Sequence, residues 1–240
     1  MERLVLLPGL LCDETVWVSQ REALAGRAAV FVPQYHDIDT LAGMAAKVLR
    51  DAPYDTFSLA GHSMGGRVAM EVVRQAPQRV QRLALLDTGC DPLPDGQAGE
   101  TERSVRRNFV NIAREKGLRE MAKVWASGMV HPDLQGTPIH EAVLDMLARR
   151  TLAEYEAQIN ALLTRPDARP VLQALRCPVS FICGRQDRWS TYEHHETMSR
   201  LTPPHLTTLA AVEHCGHMAT MERPQAVSDL LAQWLDTPAA

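Results

Sequence analysis

The chain has 240 residues, enough for one large domain with both a packed core and a pocket. Lys and Arg number 25 against 29 Asp and Glu, a formal net charge of -4, so we do not expect the clustered basic surface that nucleic-acid binding requires. No segment has the roughly 20 consecutive apolar residues of a membrane span, and residues 1–9 lack a secretory leader's long apolar stretch; we expect one cytoplasmic domain, residues 1–240, that binds neither nucleic acid nor membrane.

Six short apolar runs alternate with longer amphipathic stretches, a pattern typical of a parallel sheet covered by helices on both faces. Each run is too short for a helix, and most end at Gly, Pro, Asp or Thr, where a strand gives way to a loop. We predict strands at 4–7, 30–33, 57–60, 83–86, 179–183 and 206–212. The predicted fold class is therefore α/β, with a mainly parallel sheet of about six strands flanked by helices.

Two helices and one insertion are predicted around these strands. Apolar residues spaced four apart after Ser63 predict a helix that begins near Met64, with Arg67, Glu71 and Arg74 facing outward. Pro224 suits the first position of a closing helix. Between residues 91 and 169 the strand rhythm stops and charged helical sequence follows, which predicts a helical cap inserted into a core of residues 1–90 and 170–240. The apolar faces of the cap helices, with Trp125 as a candidate, are expected to supply part of a substrate pocket.

The sequence Gly-His-Ser-Met-Gly-Gly at residues 61–66 has the spacing G-x-S-x-G between a predicted strand and a predicted helix. A serine on such a sharp turn projects its hydroxyl into the open, and glycines flank it because a Cβ would collide where strand and helix approach. The helix that starts behind it offers a free Met64 N–H and a positive dipole end. Ser63 is therefore the predicted nucleophile.

An acid and a histidine follow in the chain order that this turn requires. Asp187, just past the fifth predicted strand, suits the carboxylate that accepts the histidine's Nδ1–H and stabilises the imidazolium. Asp87, at the end of the fourth strand, is the alternative acid, although it also suits a cap for the following turn.

His217 lies between the last predicted strand and the last helix, beside Gly216, where a loop can fold back to Ser63. We predict it as the general base. His214 and His217 are three apart, but no further ligand completes a set, so no metal site is predicted. His194 and His195 are expected on the surface of a helix.

The loop after the first strand is expected to complete an oxyanion hole. Gly9 frees the backbone to turn, so that the Leu10 N–H points at the same oxygen as that of Met64. Leu11 is a candidate for the apolar wall of the acyl site, with packing in the core as its alternative. Trp189, two residues after Asp187, is a third candidate for contact with substrate.

Residues 61–66, the sequence Gly-Arg-Gln-Asp at 184–187 and Cys-Gly-His at 215–217 together resemble the three motifs of the α/β-hydrolase superfamily. The resemblance covers nearly the whole chain and is weakest in the cap. It implies that the protein is a serine hydrolase similar to small cytoplasmic carboxylesterases, acting on a small-molecule ester without a cofactor.

The same residues allow other functions. This scaffold also supports cleavage of lactones, enol-lactones, acyl-thioesters and C–C bonds, and the fold does not distinguish them. A non-enzymatic ligand receptor or partner module is a further alternative. The arginine-rich cap also allows docking of an acidic carrier protein or CoA, on Arg103, Arg106, Arg107, Arg149 and Arg150, although solvated helix faces explain the same residues.

Overall fold

A computed structural model describes residues 1–239; Ala240, the last residue of the predicted domain, lies outside them. Six strands form one sheet in the order β2-β1-β3-β4-β5-β6, and every neighbouring pair is parallel. The strands are β1 (Glu2–Leu7), β2 (Ala28–Phe31), β3 (Phe57–His62), β4 (Val80–Leu86), β5 (Val179–Gly184) and β6 (Thr207–Val212). All six predicted strands are confirmed, and β2 lies two residues earlier than expected.

Helices connect and cover the strands. Within residues 1–239 they are α1 (Val18–Ala23), α2 (Leu41–Asp51), α3 (Met64–Gln75), α4 (Gly96–Lys116), α5 (Leu118–Trp125), α6 (Pro138–Ala148), α7 (Leu152–Leu163), α8 (Arg169–Gln173), α9 (Tyr192–Ser199), α10 (Ala219–Glu222) and α11 (Pro224–Asp236). The helix predicted after Ser63 is α3, and the closing helix is α11. Helices α4 to α7 lie between β4 and β5, in the segment predicted as a cap. None of the helices in residues 1–239 is long and apolar enough to span a membrane.

The central strands carry the core. Every residue of β3 and β5 is buried, whereas the edge strands β2 and β6 are mostly half-buried. Continuous burial along a strand requires a cover on both faces, which in a parallel sheet the crossover helices supply. The core therefore consists of apolar side chains on both sides of β1, β3, β4 and β5.

Helix α3 lies against the sheet at backbone contact. A Cβ on Gly65 would lie 2.3 Å from the carbonyl oxygen of Leu7 at the end of β1, a separation that real Cβ atoms do not reach. Only a residue without a side chain fits there. The close approach fixes the start of α3, and so Ser63, at the carboxyl ends of β1 and β3.

Replacing Gly65 with Ala is expected to lower the free energy of unfolding by about 1–3 kcal/mol or more, because the methyl group must push backbone apart. Gly26→Ala is the matched control, since a Cβ at Gly26 would meet no atom within 4 Å. Urea unfolding followed by circular dichroism measures both. Equal midpoints for the two variants would contradict the packing described here.

Candidate active site

Three side chains from distant parts of the chain meet at the carboxyl edge of the sheet. Ser63 directly follows β3, while Asp187 and His217 lie in the loops after β5 and β6. The imidazole Nε2 of His217 lies 2.8 Å from Ser63 Oγ, and its Nδ1 lies 2.8 Å from Asp187 Oδ2. Both distances are those of normal hydrogen bonds. The structure thus brings together the three residues that the sequence predicts as nucleophile, base and acid.

The backbone of Ser63 is strained and held in place by hydrogen bonds. Its φ of 54° and ψ of -119° lie in a region that residues with a side chain rarely adopt. Its N–H donates to the Leu86 carbonyl at 2.8 Å, and its carbonyl accepts from Thr88 Oγ1 at 2.7 Å. A Cβ on Gly61 would lie 2.3 Å from the Gly65 carbonyl oxygen, which explains the glycines around the serine. The turn leaves Ser63 Oγ facing His217.

Asp187 is buried and accepts hydrogen bonds through both oxygens. Besides the bond to His217, its Oδ1 accepts from the N–H groups of Trp189 at 2.8 Å and Ser190 at 3.0 Å. Burial opposes the charged form, but the charge and hydrogen bond of His217 and the two N–H donors outweigh it and hold the pKa of Asp187 below its ordinary value. Asp187 is therefore ionised and orients the imidazole.

Asp87, the alternative acid, has different partners. It is fully buried, and its Oδ1 accepts from the Gly184 N–H at 2.8 Å. Burial and the charge of Asp187 raise its pKa well above the ordinary value. The hydrogen bond to the histidine belongs to Asp187, and Asp87 ties the end of β4 to the end of β5.

Two backbone amides flank Ser63. Met64 is the first residue of α3, so its N–H has no partner within the helix. The loop at Gly9 touches the serine, because a Cβ there would lie 3.2 Å from Ser63 Cβ. Neither the Leu10 nor the Met64 amide donates a hydrogen bond within residues 1–239, and both residues line the same cavity as Ser63. This is the arrangement expected of an oxyanion hole.

The cavity above Ser63 has a volume of about 730 Å³ and lies between the sheet edge and the cap helices α4, α5 and α7. Trp125 and Trp189 both line it and stack with ring centroids 5.2 Å apart, and the Trp189 ring lies 5.0 Å from that of His217. Leu11 does not line it. The Leu11 side chain is fully buried, and its N–H donates to Gln158 Oε1 at 2.8 Å, so this residue packs in the core.

Arginines line the cap side of this cavity. Arg165 pairs with Glu102 through two hydrogen bonds of 2.7 and 2.8 Å, and Arg106 pairs with the same carboxylate at 2.8 Å. Burial raises the pKa of Glu102, but these two cations outweigh it and lower the pKa to about 2. Cationic groups therefore outnumber anionic ones at this end of the cavity.

Arg67 was expected to face outward, and that prediction is wrong. It lies one helical turn after Ser63, so its side chain extends along the sheet edge beneath the cap and lines the cavity. It donates to the Asp91 carbonyl at 2.9 Å but forms no salt bridge within residues 1–239. Burial, together with the charge of Arg165, lowers its pKa to about 9, so it remains a cation at neutral pH. Glu71 is also buried, against Arg74 at 2.9 Å.

Two further histidines support the site, and the sequence reasoning missed both. His62 is fully buried, and its Nε2 donates to the His217 carbonyl at 2.8 Å; burial and the charge of His217 lower its pKa to about 3. His195 was expected on the surface, but it is fully buried because α9 turns it toward the sheet edge. Its Nε2 accepts from the Thr88 N–H at 3.1 Å. The signal for His62 was its position directly before the nucleophile.

Two groups of side chains in residues 1–239 place metal-ligating atoms within 4.8 Å of one another. The first consists of Asp87, Cys183 and Asp187, and in it Asp187 is already bound to His217. The second consists of Cys90, Asp91 and His194, and a Cβ on Gly89 would lie within 3.2 Å of both His194 and Arg67. The nearby guanidinium opposes a cation there, so neither group favours a metal centre.

Most of the arginines considered for carrier docking form ion pairs. Arg103 pairs with Glu100, Arg106 with Glu102, Arg149 with Asp13 and Arg150 with Glu154. An exposed pair presents little net charge to a partner. The cap therefore shows less free positive charge than its sequence implies.

Comparison with known proteins finds a matching family model and curated relatives along most of the chain. The model of a family described as "Alpha/beta hydrolase family" matches residues 4–230. A 2-succinyl-6-hydroxy-2,4-cyclohexadiene-1-carboxylate synthase of Klebsiella pneumoniae is 26% identical over 247 residues, covering 97% of this chain and 93% of that protein. A protein of the same name from Salmonella newport is 29% identical over 182 residues, or 75% of this chain and 68% of the relative.

Solved structures with the same fold also match nearly the whole chain. An esterase from Thermogutta terrifontis is 25% identical with a TM-score of 0.88, covering 98% of this chain and 89% of that one. An enol-lactonase from Burkholderia xenovorans LB400 is 18% identical with a TM-score of 0.85, covering 98% and 91%. At that identity the second likeness concerns the fold alone.

Replacing Asp187 with Asn is expected to lower kcat for p-nitrophenyl acetate on the order of 10⁴-fold, because an amide no longer selects the required imidazole tautomer. Asp87→Asn is the matched control, since it keeps the Oδ1 acceptor for Gly184 and should cost far less. Steady-state kinetics of both variants measure this. A larger loss in the Asp87 variant would assign the acid to Asp87 instead.

Glu102 gives the cap a pH-dependent contribution to stability. Because its folded-state pKa lies below the ordinary value of 4.5, it stabilises the fold above pH 4.5 and loses that effect as the pH falls toward 2. The difference in free energy of unfolding between native protein and Glu102→Gln should therefore be constant above about pH 5.5 and shrink below pH 4.5. Urea unfolding at a series of pH values measures it. Glu100→Gln, at an exposed neighbouring carboxylate, should show little difference; a gap for Glu102→Gln that widens in acid would contradict the assignment.

Proposed function

Because the chain belongs to the alpha/beta hydrolase family of enzymes, we propose that it hydrolyses a carboxylic ester through an acyl-enzyme formed on Ser63. The observation that carries the proposal is the hydrogen bond between Ser63 Oγ and His217 Nε2 beside two amides that donate to nothing else in residues 1–239. The 25% identity to a solved esterase over nearly the whole chain supports it.

The proposed reaction has two steps. Ser63 Oγ attacks the acyl carbonyl carbon while His217 takes its proton, and the Leu10 and Met64 N–H groups bind the oxyanion. The imidazolium, stabilised by Asp187, then protonates the leaving alcohol, which departs as the carbonyl re-forms. A water molecule, deprotonated by His217, hydrolyses the acyl-enzyme and regenerates Ser63.

We further propose that the substrate is small to medium in size and carries an anionic group. A guanidinium that loses water without gaining a carboxylate partner costs free energy, and the half-buried Arg67 is one, within the cavity and one helical turn from the nucleophile. A carboxylate or similar group of the substrate would supply that partner. The stacked rings of Trp125 and Trp189 would form an apolar wall of the same cavity.

A second candidate function is favoured by the curated relatives, which are named for the synthesis of a cyclohexadiene carboxylate. In such a reaction the Ser63–His217 pair would remove a proton from a carbon atom of the substrate, and no acyl group would be transferred to the serine. The name of those relatives also includes a carboxylate, which agrees with the excess of arginine in the cavity. Lactone or thioester cleavage would use the same two steps as an ester.

Ser63 decides between ester hydrolysis and reaction on carbon. We expect native protein mixed with p-nitrophenyl acetate and quenched in acid to carry an acetyl group on the peptide containing Ser63, as measured by mass spectrometry. Ser63→Ala should carry none and should lose ester turnover. Turnover of the ester by Ser63→Ala would refute the acyl-enzyme, and turnover of a panel of esters by neither protein would favour the second candidate.

Arg67→Gln tests the anionic substrate. Loss of a charge-assisted pair is expected to lower kcat/KM for a hemisuccinate p-nitrophenyl ester by about 10- to 100-fold, while p-nitrophenyl butyrate, of similar length without the carboxylate, changes little. Steady-state kinetics of both esters on both proteins give the ratio. Equal losses on the two esters would show that Arg67 supports the fold or the cap and not an anionic substrate group.

A further inference from the structure

The loop that carries His217 is in backbone contact with a segment of the cap. The His217 N–H donates to the Met129 carbonyl at 2.6 Å. A Cβ on Gly216 would lie 2.5 Å from that same carbonyl oxygen and 2.8 Å from the His131 nitrogen. Residues 129–131, here called the cap strap, therefore lie directly against the backbone on which His217 is mounted.

The Glu222 side chain joins the His217 loop to the cap strap. It is the last residue of α10 and its side chain is 2% exposed. Its Oε2 accepts from the Gly216 N–H at 3.0 Å and from the His131 N–H at 2.8 Å, and its Oε1 accepts from the Met218 N–H at 2.9 Å. One carboxylate thus binds the residue before His217, the residue after it, and the cap strap.

All three partners of the Glu222 carboxylate are backbone N–H groups, which indicates that Glu222 serves to hold these two segments. Burying a carboxylate costs several kcal/mol unless it is compensated, and within residues 1–239 no Lys or Arg side chain forms a salt bridge with Glu222. Three N–H donors supply the compensation, and none of its partners is an acceptor. A glutamine could not replace it, because the NH₂ group of its side-chain amide is a donor and would face a backbone N–H that is also a donor.

We propose that Glu222 is a positioning residue for His217, and that it couples the placement of the imidazole to docking of the cap strap. The inference rests on the proposed role of His217 as general base. The residues on both sides of His217 are fixed by one side chain, so the ring can rotate only about its own side-chain bonds. When the cap strap is displaced, Glu222 loses a donor and His217 loses the Met129 carbonyl, so the ring moves away from Ser63.

Glu222→Gln is the first test, with Glu71→Gln as a matched control. Glu71 is also a buried glutamate, but it pairs with Arg74 on α3. Both variants should unfold at lower temperature. Only Glu222→Gln should lower kcat for p-nitrophenyl acetate, on the order of 10²-fold with KM little changed, because the catalytic group is misplaced while the cavity is intact. Equal kcat values for native protein and folded Glu222→Gln would overturn the proposal.

A second pair of variants removes one hydrogen bond of this network without substituting Glu222. His131 has φ of -53°, which proline can adopt, so His131→Pro removes the N–H that His131→Ala keeps and places the proline Cδ against Glu222, which displaces the cap strap; both variants remove the imidazole. We expect kcat of His131→Pro to be several-fold below that of His131→Ala. Equal values would show that the cap strap is not coupled to His217. This pair decides the question if Glu222→Gln does not fold.

Labelling with a fluorophosphonate separates failure of this inference from failure of the proposed function. The native protein should label at Ser63, and Glu222→Gln should label more slowly, in proportion to its loss of kcat. If native protein does not label, the nucleophile assignment is wrong. If native and Glu222→Gln label at the same rate, the nucleophile stands and the role given to Glu222 is wrong.

Discussion

The hydrogen bond between His217 and Ser63 joins the loop after β6 to the end of β3, three strand positions away. That connection constrains the whole carboxyl edge of the sheet. Because β3 and β6 are separated by β4 and β5, the loop after β6 must cross about 14 Å to reach the serine. His217 lies only five residues after Val212, and residues 213 and 214 form a turn, so the imidazole side chain completes the reach to Ser63 Oγ. At that edge the imidazole meets Asp187, whose Oδ2 lies 2.8 Å from Nδ1, while Asp87 Oδ2 accepts from the N–H of Ala219, two residues further on, at 3.4 Å.

Buried polar groups keep that loop in place. The His217 backbone is bound on one side by the His62 imidazole and on the other by Met129, while Glu222 binds the amides beside it. Burial and the charge of Asp187 raise the pKa of Asp87, whereas His217 and two N–H donors hold the pKa of Asp187 below its ordinary value despite burial. A single negative charge thus faces Nδ1, which is the distribution that stabilises an imidazolium.

Local sequence patterns predicted the strands, the serine turn and the residues at the strand ends, because apolar runs and glycine spacing act over a few residues. Arg67 and His195 were misplaced for a different reason. Helical periodicity shows which residues share a face, but whether that face meets solvent depends on what the cap and the neighbouring loop cover. Leu11 was ambiguous in the same way, since its amide partner, Gln158, comes from a distant cap helix. The three donors to Glu222 likewise come from segments that only the tertiary fold brings together.

The central claim is that one imidazole links Ser63 to Asp187, and nuclear magnetic resonance of the resting protein tests it without substrate. With ¹⁵N-labelled histidine, the proton on His217 Nδ1 should give a downfield, slowly exchanging signal coupled to nitrogen. The signal should persist in Asp87→Asn and shift strongly or vanish in Asp187→Asn. A signal unchanged by Asp187→Asn, or lost only in Asp87→Asn, would contradict the arrangement on which the account depends.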